Sequence, residues 1–459
     1  MQRMGSLDAV FLAIEQPTSP MNIGSVSVFD GPAPTLETVR EFVAAKLASV
    51  PRCRQRAHFM WLQATRPVWI DDADFDLANH VRATTLCAGG ASTLEEVVEQ
   101  VMVEPLDRRR SLWQMLVVDG LDDQRWAVVS TMHHCMVDGV AGTDLLAVIL
   151  DAEPDARHAE PLPWAPERKP SWWDLARFTV AASAASFRTH LRHLARMLRH
   201  PLRTCRRLHH IASGARGLWL QPSRRDSPLT GPLGTQRRWM HTSIPLDHVA
   251  SVRRGLGGTV NDVVLTAVTR GLRELIHERK ATVRTPDVMA LVPVSMRGAD
   301  DHGRLDNRVA VTHALLPVAI DDAADTHRAV RAEMVIVKAS HETDASTVLL
   351  HSGDLVPHAV AAVIARAVVR AQQNIETIVT NVPGPRQPLY LCGRRMLMAY
   401  PFAPIAGRIQ IAVAIWSYCG TLYIGVTGDR DGAGDIDVLI RGIDRGFADL
   451  VHAAGRDAA

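Results

Sequence analysis

The segment RWAVVSTMHHCMVDG, residues 125–139, contains the pattern that decides the fold. Arg125–Met132 has the β-branched and apolar content of a strand, and the apolar stretch Val140–Leu150 has helical spacing. His133 and His134 therefore stand where a strand passes into a helix. Adjacent side chains at a strand end point in different directions, so only one of the two imidazoles can face a given cavity. An imidazole, with an ordinary pKa of about 6.5, can accept a proton at physiological pH.

The residues that follow the histidine pair leave several interpretations open. Asp138 begins the helix pattern, where a carboxylate can cap backbone N–H groups and be held by an arginine, and Gly139 allows close approach of backbone or ligand. In the first interpretation, the two histidines are part of an ordinary turn and have no catalytic or binding function. A metal site would use His and Asp, although adjacent histidines rarely converge on one ion and no HExxH motif accompanies them. Cys135 is a weak candidate for a nucleophile. Its base would be the adjacent His134, and the sequence spacing indicates no third residue of a catalytic triad.

The composition is that of a soluble globular protein of about two to three domains. The chain has 459 residues, 47% apolar and 22% charged, and its net charge of +2 argues against chain-wide binding to polyanions. The six scattered cysteines form no CxxC pair and are expected to be reduced, in a cytoplasmic protein. Asp8 and Glu15 interrupt the N-terminal apolar stretch, so no secretory signal is expected. No run reaches the roughly 20 apolar residues that span a bilayer.

Two α/β halves and a connector are the simplest organisation. Residues 1–160 form the first half, with strands predicted at Ile23–Phe29 and Leu112–Val118 and a helix at Thr35–Val50. Residues 161–235 form a connector rich in Pro, Trp and Arg, and residues 236–459 form the second half. In the second half the predicted helices are Asn261–Arg279 (with Thr259 or Asn261 as N-cap), Asp321–Ser340, Pro357–Gln373 and Gly434–Ala453, and the predicted strands are Val288–Val294, Arg308–Val318, Thr377–Val382, Arg408–Tyr418 and Thr421–Thr427.

The connector carries a strongly basic amphipathic pattern. Between Arg188 and Arg225 there are ten arginines and no acidic residue, and leucines occupy the opposite side of the helical wheel. Pro201 is expected to divide this stretch into two helical pieces. Such helices can lie in a lipid interface, with Trp172, Trp173 and Trp219 as anchors. A solvated helix covering the domain interface explains the pattern equally well, and nucleic-acid binding lacks an accompanying groove-reading motif.

HHxxxDG is the signature of acyltransferases and condensation domains built like chloramphenicol acetyltransferase. Further blocks, in the same order, make the chain similar to the bacterial wax ester synthase/diacylglycerol acyltransferase family. Ser111 stands where that family usually has proline, and Gln114 stands where an acidic residue usually follows. The resemblance spans nearly the whole chain. The matching blocks are Ser6–Leu12 (SLDAVFL), Pro20–Gly24 (PMNIG), Pro105–Trp113 (PLDRRRSLW), Thr259–Asp262 (TVND), Val292–Arg297 (VPVSMR), Asn307–Arg308 and Asn381–Pro385 (NVPGP).

The resemblance implies two chloramphenicol-acetyltransferase-like α/β domains, each a mixed sheet flanked by helices, with an active-site tunnel at their interface. It implies transfer of a long-chain acyl group from acyl-CoA to diacylglycerol, giving triacylglycerol, or to a fatty alcohol, giving a wax ester. His134 would be the general base that deprotonates the acceptor hydroxyl, and Asn261 is a candidate donor to the thioester oxygen. Acyl-CoA is a co-substrate, and no metal or redox cofactor is implied. The substrates favour peripheral contact with a membrane or lipid droplet, and no nucleic acid is expected.

The same resemblance gives structural roles to the other motif residues. Asp138 would point away from the substrate and pair with an arginine, for which Arg297 and Arg308 are the candidates. His133 would pack against or orient His134, and Gly139 would keep the tunnel open. The blocks Pro105–Trp113 and Asn381–Pro385 are expected to be architectural.

Two other functions stay open at this point. The enzyme could act on another lipid alcohol or on a carrier-bound acyl donor, although no carrier-protein domain is fused to the chain. A lipid-surface binding protein with little turnover is the second alternative. The departures at Ser111 and Gln114 favour it slightly, and the intact His134 and Asp138 argue against it.

Overall fold

A mixed six-stranded sheet forms the centre of each half of the molecule. The computed structural model describes residues 1–59, 66–86, 93–136, 149–156, 164–199, 227–279, 287–295, 309–339 and 358–457. Numbered in chain order, the strands are β1 (Gln2–Arg3), β2 (Asn22–Phe29), β3 (Gln55–His58), β4 (Val68–Asp71), β5 (Val81–Thr85), β6 (Trp113–Leu121), β7 (Arg125–His133), β8 (Arg237–Pro245), β9 (Val288–Ser295), β10 (Val309–Leu316), β11 (Thr377–Val382), β12 (Tyr390–Leu391), β13 (Arg394–Phe402), β14 (Ile411–Tyr418) and β15 (Thr421–Asp429).

Helices cover both sheets, and short 3₁₀ turns connect several elements. The helices are α1 (Ser6–Ile14), α2 (Leu36–Lys46), α3 (Leu94–Val103), α4 (Trp172–Arg199), α5 (Leu246–Leu256), α6 (Val260–Glu278), α7 (Ala323–Ala339), α8 (His358–Ala371) and α9 (Ile436–Asp457). The 3₁₀ turns are Leu47–Ser49, Pro51–Arg54, Leu77–Asn79, Asp122–Gln124 and His134–Met136. No helix within these ranges combines the length and apolarity needed to cross a bilayer.

The N-terminal sheet has the order β12-β13-β2-β7-β6-β5. β7 lies between β2 and β6, antiparallel to both, while β5 runs parallel to β6. Trp126, Val128 and Phe29 are among the side chains that this sheet buries in the first hydrophobic core. β7, whose end carries the histidine pair, is therefore an interior strand whose position is fixed on both sides.

The C-terminal sheet has the order β10-β9-β11-β14-β15-β8, with β11 parallel to both of its neighbours. Helices α6 and α9 cover it and bury Leu265, Leu272 and Leu439 in the second core. A small third sheet, β1-β4-β3, packs beside the N-terminal half. The predicted fold class, two mixed sheets flanked by helices, is confirmed.

One strand crosses between the halves, a feature that the sequence patterns do not predict. β13 lies far beyond residue 235, yet it pairs antiparallel with β2 of the N-terminal sheet. In this register Phe402 lies opposite Gly24, and a Cβ atom at Gly24 would come within 2.4 Å of the Phe402 ring. The same Cβ would come within 2.0 Å of the Ser130 carbonyl, so β7 and the crossing strand together require glycine at this position. The predicted boundaries at 160 and 235 stay a prediction, but the N-terminal sheet is completed by the C-terminal part of the chain.

Charged contacts between α3 and β8 join the halves at a second place. The Trp239 backbone N–H donates to Glu99 Oε1 over 3.0 Å, and Arg430 donates to Glu99 Oε2 over 3.0 Å. His241 lies 3.5 Å from Glu95, and its hydrogen bond lowers the pKa of that carboxyl to about 2. Glu95 and Glu99 therefore hold the edge of the C-terminal sheet against the N-terminal half.

The predicted elements differ from the observed ones mainly at their ends. The helix predicted over Thr35–Val50 ends at Lys46 and continues as 3₁₀ turns, because Pro51 disfavours helical geometry at Val50. In the connector, α4 confirms a helix up to Arg199. Pro201 and the rest of the arginine-rich stretch to residue 226 lie outside the described residues.

Candidate active site

The histidine pair closes the interior strand β7. The His133 backbone N–H donates to the Leu112 carbonyl over 2.9 Å, and the His134 N–H donates to the Met21 carbonyl over 2.8 Å. His134 then begins the 3₁₀ turn His134–Met136. Backbone bonds to both neighbouring segments therefore fix the position of the pair before any side chain contributes.

The His133 side chain is buried in a polar environment, with 1% of its surface exposed. Its Nδ1 accepts the Cys135 backbone N–H over 3.1 Å, so the ring proton resides on Nε2. Nε2 lies 3.4 Å from Glu15 Oε1. Nδ1 is thus occupied by a backbone N–H and Nε2 faces a carboxylate, so His133 is unsuited to accept a proton from a substrate.

Glu15 is held by a second partner from the block Pro105–Trp113. Arg108 donates to Glu15 Oε2 from Nε over 3.1 Å and from Nη2 over 2.5 Å. Burial would raise the pKa of Glu15, but the hydrogen bonds and charges of His133 and Arg108 outweigh it and lower the pKa to about 2. The carboxylate is therefore ionised at any pH at which the enzyme would work.

His134 occupies the opposite, apolar environment. Its ring stacks on Phe11 with a centroid separation of 3.8 Å and an interplanar angle of 17°. Nδ1 is inaccessible to solvent and has no hydrogen-bond partner among the described residues. Burial lowers the pKa of His134 to about 4, and the neighbouring His133 acts in the same direction. The ring is therefore neutral at physiological pH, which is the protonation state that a general base requires.

Cys135 does not fit the role of nucleophile. The residue is fully buried in the first core, and burial raises the pKa of its thiol well above the ordinary value. A nucleophilic cysteine needs an accessible thiolate. The cysteines that the structure describes, Cys53, Cys135, Cys392 and Cys419, are free thiols. Within the described ranges, no group of three His, Cys, Asp or Glu side chains is arranged to hold a metal ion.

The loop between α1 and β2, which supplies the Met21 carbonyl, lies against the C-terminal half. Ser19 Oγ donates to the Ile405 carbonyl over 2.6 Å, and Arg237 donates to the Thr18 carbonyl. A cavity of about 220 Å³ opens at this contact. It is lined by Gln16, Thr18 and Ser19 from one half and by Leu233, Arg370 and Gly407 from the other. The support of the histidine pair therefore lies at the contact between the halves, while the predicted tunnel to His134 stays a prediction.

Asn261 does not cap its own helix. Thr259 caps α6 by accepting the Asp262 N–H, and Asp262 returns a hydrogen bond to the Thr259 N–H, which completes a capping box. Asn261 Oδ1 instead accepts Asn381 Nδ2 over 3.4 Å. The blocks Thr259–Asp262 and Asn381–Pro385 thus meet in space through this side-chain contact. Its role as an oxyanion donor stays a prediction.

Four of the predicted site residues lie outside the described residues: Asp138, Gly139, Arg297 and Arg308. The proposed pairing of Asp138 with an arginine is therefore a prediction only.

Sequence reasoning missed Glu15 and Phe11 as site residues and assigned Arg108 to an architectural block. Their signal was present, because all three belong to or adjoin blocks that match the family. What the sequence could not give was the contact itself, since Glu15 and His133 lie 118 positions apart and meet only through the β2–β7 pairing.

The chain thus has two mixed α/β halves, and the histidines of its HHxxxDG motif close an interior strand. The chain matches a model of the wax ester synthase/diacylglycerol acyltransferase catalytic domain over residues 4–264 and a model of the WS/DGAT C-terminal domain over residues 305–451. It belongs to this family, and it is an acyltransferase.

Relatives and solved structures agree with this assignment. The chain is 33% identical over 460 residues to a Mycobacterium tuberculosis protein named "Probable diacyglycerol O-acyltransferase tgs1", covering 99% of this chain and 97% of the relative. Its fold is similar to that of the wax ester synthase/diacylglycerol acyltransferase from Marinobacter aquaeolei VT8, with a TM-score of 0.69 and 23% identity over 99% and 100% of the two chains. It is also similar to the first condensation domain of the calcium-dependent antibiotic synthetase, with a TM-score of 0.61 and 16% identity over 100% and 97%.

Proposed function

We propose that the protein esterifies diacylglycerol with the acyl group of a long-chain acyl-CoA to form triacylglycerol, and that fatty alcohols are a second class of acceptor. His134 carries the proposal, because its half-buried ring, stacked on Phe11, is neutral and directly follows an interior strand beside the contact of the two halves. The relative named as a diacylglycerol O-acyltransferase supports the choice of acceptor.

In the proposed reaction His134 takes the proton of the acceptor hydroxyl as the hydroxyl oxygen attacks the thioester carbonyl. The C–S bond then breaks, and the proton passes from the imidazole to the departing CoA thiolate. A thioester is already activated, so the chemistry needs neither a covalent enzyme intermediate nor a resident metal or redox cofactor. Asn261, whose Oδ1 is held by Asn381, is proposed as the donor of an amide N–H to the developing oxyanion.

A product analysis across acceptors tests this proposal. Purified protein with palmitoyl-CoA should release CoA and form triacylglycerol with diacylglycerol, and wax ester with hexadecanol. Monoacylglycerol and an acylated carrier protein serve as further arms. CoA release that does not depend on any lipid alcohol, or transfer from the carrier protein only, would contradict the proposal.

We also propose that the protein works at a lipid surface. Trp172 and Trp173, at the start of α4, are 64% and 62% exposed and stack on each other at 3.6 Å. Arg188, Arg192 and Arg199 are exposed further along the same helix. Indole rings with nearby arginines suit the boundary between headgroups and acyl chains.

A second exposed apolar stripe lies on α8, a helix that contacts α1. Val360, Val363 and Ile364 on α8 are exposed, and α8 contains two arginines but no acidic residue. Arg366 Nε donates to the Ala13 carbonyl at the end of α1, the helix that carries Phe11. A lipid surface that contacts α8 would thus bring diacylglycerol close to His134.

Flotation with vesicles tests the lipid surface. The wild type should float with phosphatidylglycerol vesicles more than with phosphatidylcholine vesicles, because the exposed helices are basic. Trp172→Ala with Trp173→Ala, and separately Val363→Ser with Ile364→Ser, should each reduce flotation. Val335→Ser with Ile336→Ser on α7, where both residues are 63% exposed, is the matched control. Equal flotation of all variants would contradict the proposal.

A further inference from the structure

We propose that Glu15 is the positioning residue of the active site, the one side chain that orients both histidines of the pair. The inference rests on the proposed role of His134 as the base and adds a residue outside the HHxxxDG motif. Glu15 ends helix α1, and its carboxylate reaches three different segments of the chain.

The two carboxylate oxygens have separate partners. Oε1 accepts the Met21 backbone N–H over 3.2 Å and lies 3.4 Å from His133 Nε2. Oε2 accepts two N–H groups of Arg108, a paired geometry that fixes the plane of the carboxylate. Glu15 is 10% exposed at its side chain, so these contacts are largely shielded from water.

Through Met21 the carboxylate also acts on His134. The Met21 N–H donates to Glu15, and the Met21 carbonyl accepts the His134 N–H over 2.8 Å. The peptide groups on the two sides of Met21 therefore connect the carboxylate to the backbone of the proposed base.

A third connection runs through helix α1. The Glu15 N–H donates to the Phe11 carbonyl over 3.3 Å, and Arg108 Nη2 donates to the Leu12 carbonyl over 2.9 Å. These bonds close the last turn of α1, and that turn places the Phe11 ring on His134. Glu15 and Arg108 thus hold the backbone of His134 in place and also fix the position of the Phe11 ring that stacks on it.

The charge of Glu15 selects the form of His133. An ionised carboxylate only accepts hydrogen bonds, so it requires a proton on His133 Nε2. The Cys135 N–H requires an acceptor at Nδ1 of the same ring. The two demands agree, and together they hold the His133 ring in one orientation.

Glu15→Gln tests the inference, since the amide keeps the shape of the side chain and removes the charge. We expect kcat to fall at least about tenfold, because small misplacements of a catalytic group have effects of this size or larger, while KM for acyl-CoA and diacylglycerol changes less than about twofold. Glu15→Asp, which keeps the charge, should recover part of the loss. Arg109→Gln is the matched control, because Arg109 belongs to the same block but is 88% exposed and pairs with Asp107.

The outcomes separate this inference from the proposed function. An inactive wild type would contradict the proposed function itself. An active wild type with an unchanged kcat in Glu15→Gln would overturn the inference alone, as would a fall in kcat that matches the loss of folded protein in a urea titration. If Glu15→Gln does not fold, Arg108→Lys carries the test, because it keeps the charge but loses the paired contact. Its kcat per folded molecule should fall, and an unchanged value would overturn the inference.

Discussion

The two sides of the β7 end differ in kind, although His133 and His134 are adjacent in the chain. On the His133 side, the Cys135 backbone N–H bonds Nδ1, and Nε2 lies 3.4 Å from a carboxylate that Arg108 holds. On the His134 side, a phenyl ring covers an imidazole whose Nδ1 has no partner among the described residues. The comparison teaches that one residue type takes two roles according to its surroundings. The polar side fixes geometry, and the apolar side keeps a base neutral.

Replacing His134 should have the largest effect on kcat. An active variant would mean that His133 and His134 do not have different roles. His134→Gln should lower kcat by about 10²–10⁴-fold, the usual contribution of a general base. His133 cannot substitute, since its Nε2 proton faces Glu15. Acyl-CoA turnover with diacylglycerol measures the effect. His248→Gln, at an exposed position of α5, is the control and should behave as the wild type. Activity within tenfold of the wild type in His134→Gln would show that the two sides do not have separate roles.

Replacing Phe11 should have a smaller effect on activity. It tests whether the phenyl ring lowers the pKa of His134. In Phe11→Ala water reaches the ring, so the pKa of His134 rises toward its ordinary value and the low-pH limb of kcat/KM moves upward. The lost stacking should also reduce the free energy of unfolding, by at least about 0.5–1.5 kcal/mol. Phe11→Leu keeps the apolar cover and should leave the limb close to that of the wild type. A limb that stays in place in Phe11→Ala would mean that the phenyl ring does not set the pKa.

Gln114→Glu should have the smallest effect on activity. It tests whether the contacts of Glu15 with His133 and Arg108 are independent of charges elsewhere on β6. Gln114 Oε1 accepts Arg82 Nη2 over 2.7 Å, at a point on β6 separate from Glu15. A carboxylate there restores the acidic residue usual in the family and should change the free energy of unfolding by less than about 1 kcal/mol, because Arg82 is 45% exposed. Urea titration measures the stability, and kcat should stay unchanged. A marked change of kcat would show that the support of His133 extends across β6.

The sequence predicted the main strands of both halves and the place of His133 and His134 between a strand and a turn. These features are local, since they follow from apolar spacing and residue type over a few positions. The assignment of His134 as the base depended on the resemblance carried by HHCMVDG and the other blocks.

The remaining features depend on contacts between distant parts of the chain. No local pattern tells which sheet β13 joins, and Pro401 within it weakens the strand signal. Glu15 looked like an interruption of an apolar N-terminus, and its meaning follows only from the pairing of β2 with β7. The capping of α6 was left between Thr259 and Asn261, because both residue types can cap, and the capping box with Asp262 decides for Thr259.

The pH dependence of kcat/KM shows whether His134 is neutral at physiological pH, as its proposed role as general base requires. Protonation removes the base, so activity should be level from pH 8 to about pH 5 and should be lost as the pH falls through about 4, the lowered pKa of His134. Glu15, with a pKa of about 2, stays ionised over this range. Return to pH 7 after each assay checks that the protein has not unfolded. A limb near pH 4 is the predicted result, and a reversible limb at about 6.5, the ordinary value for an imidazole, would contradict the account.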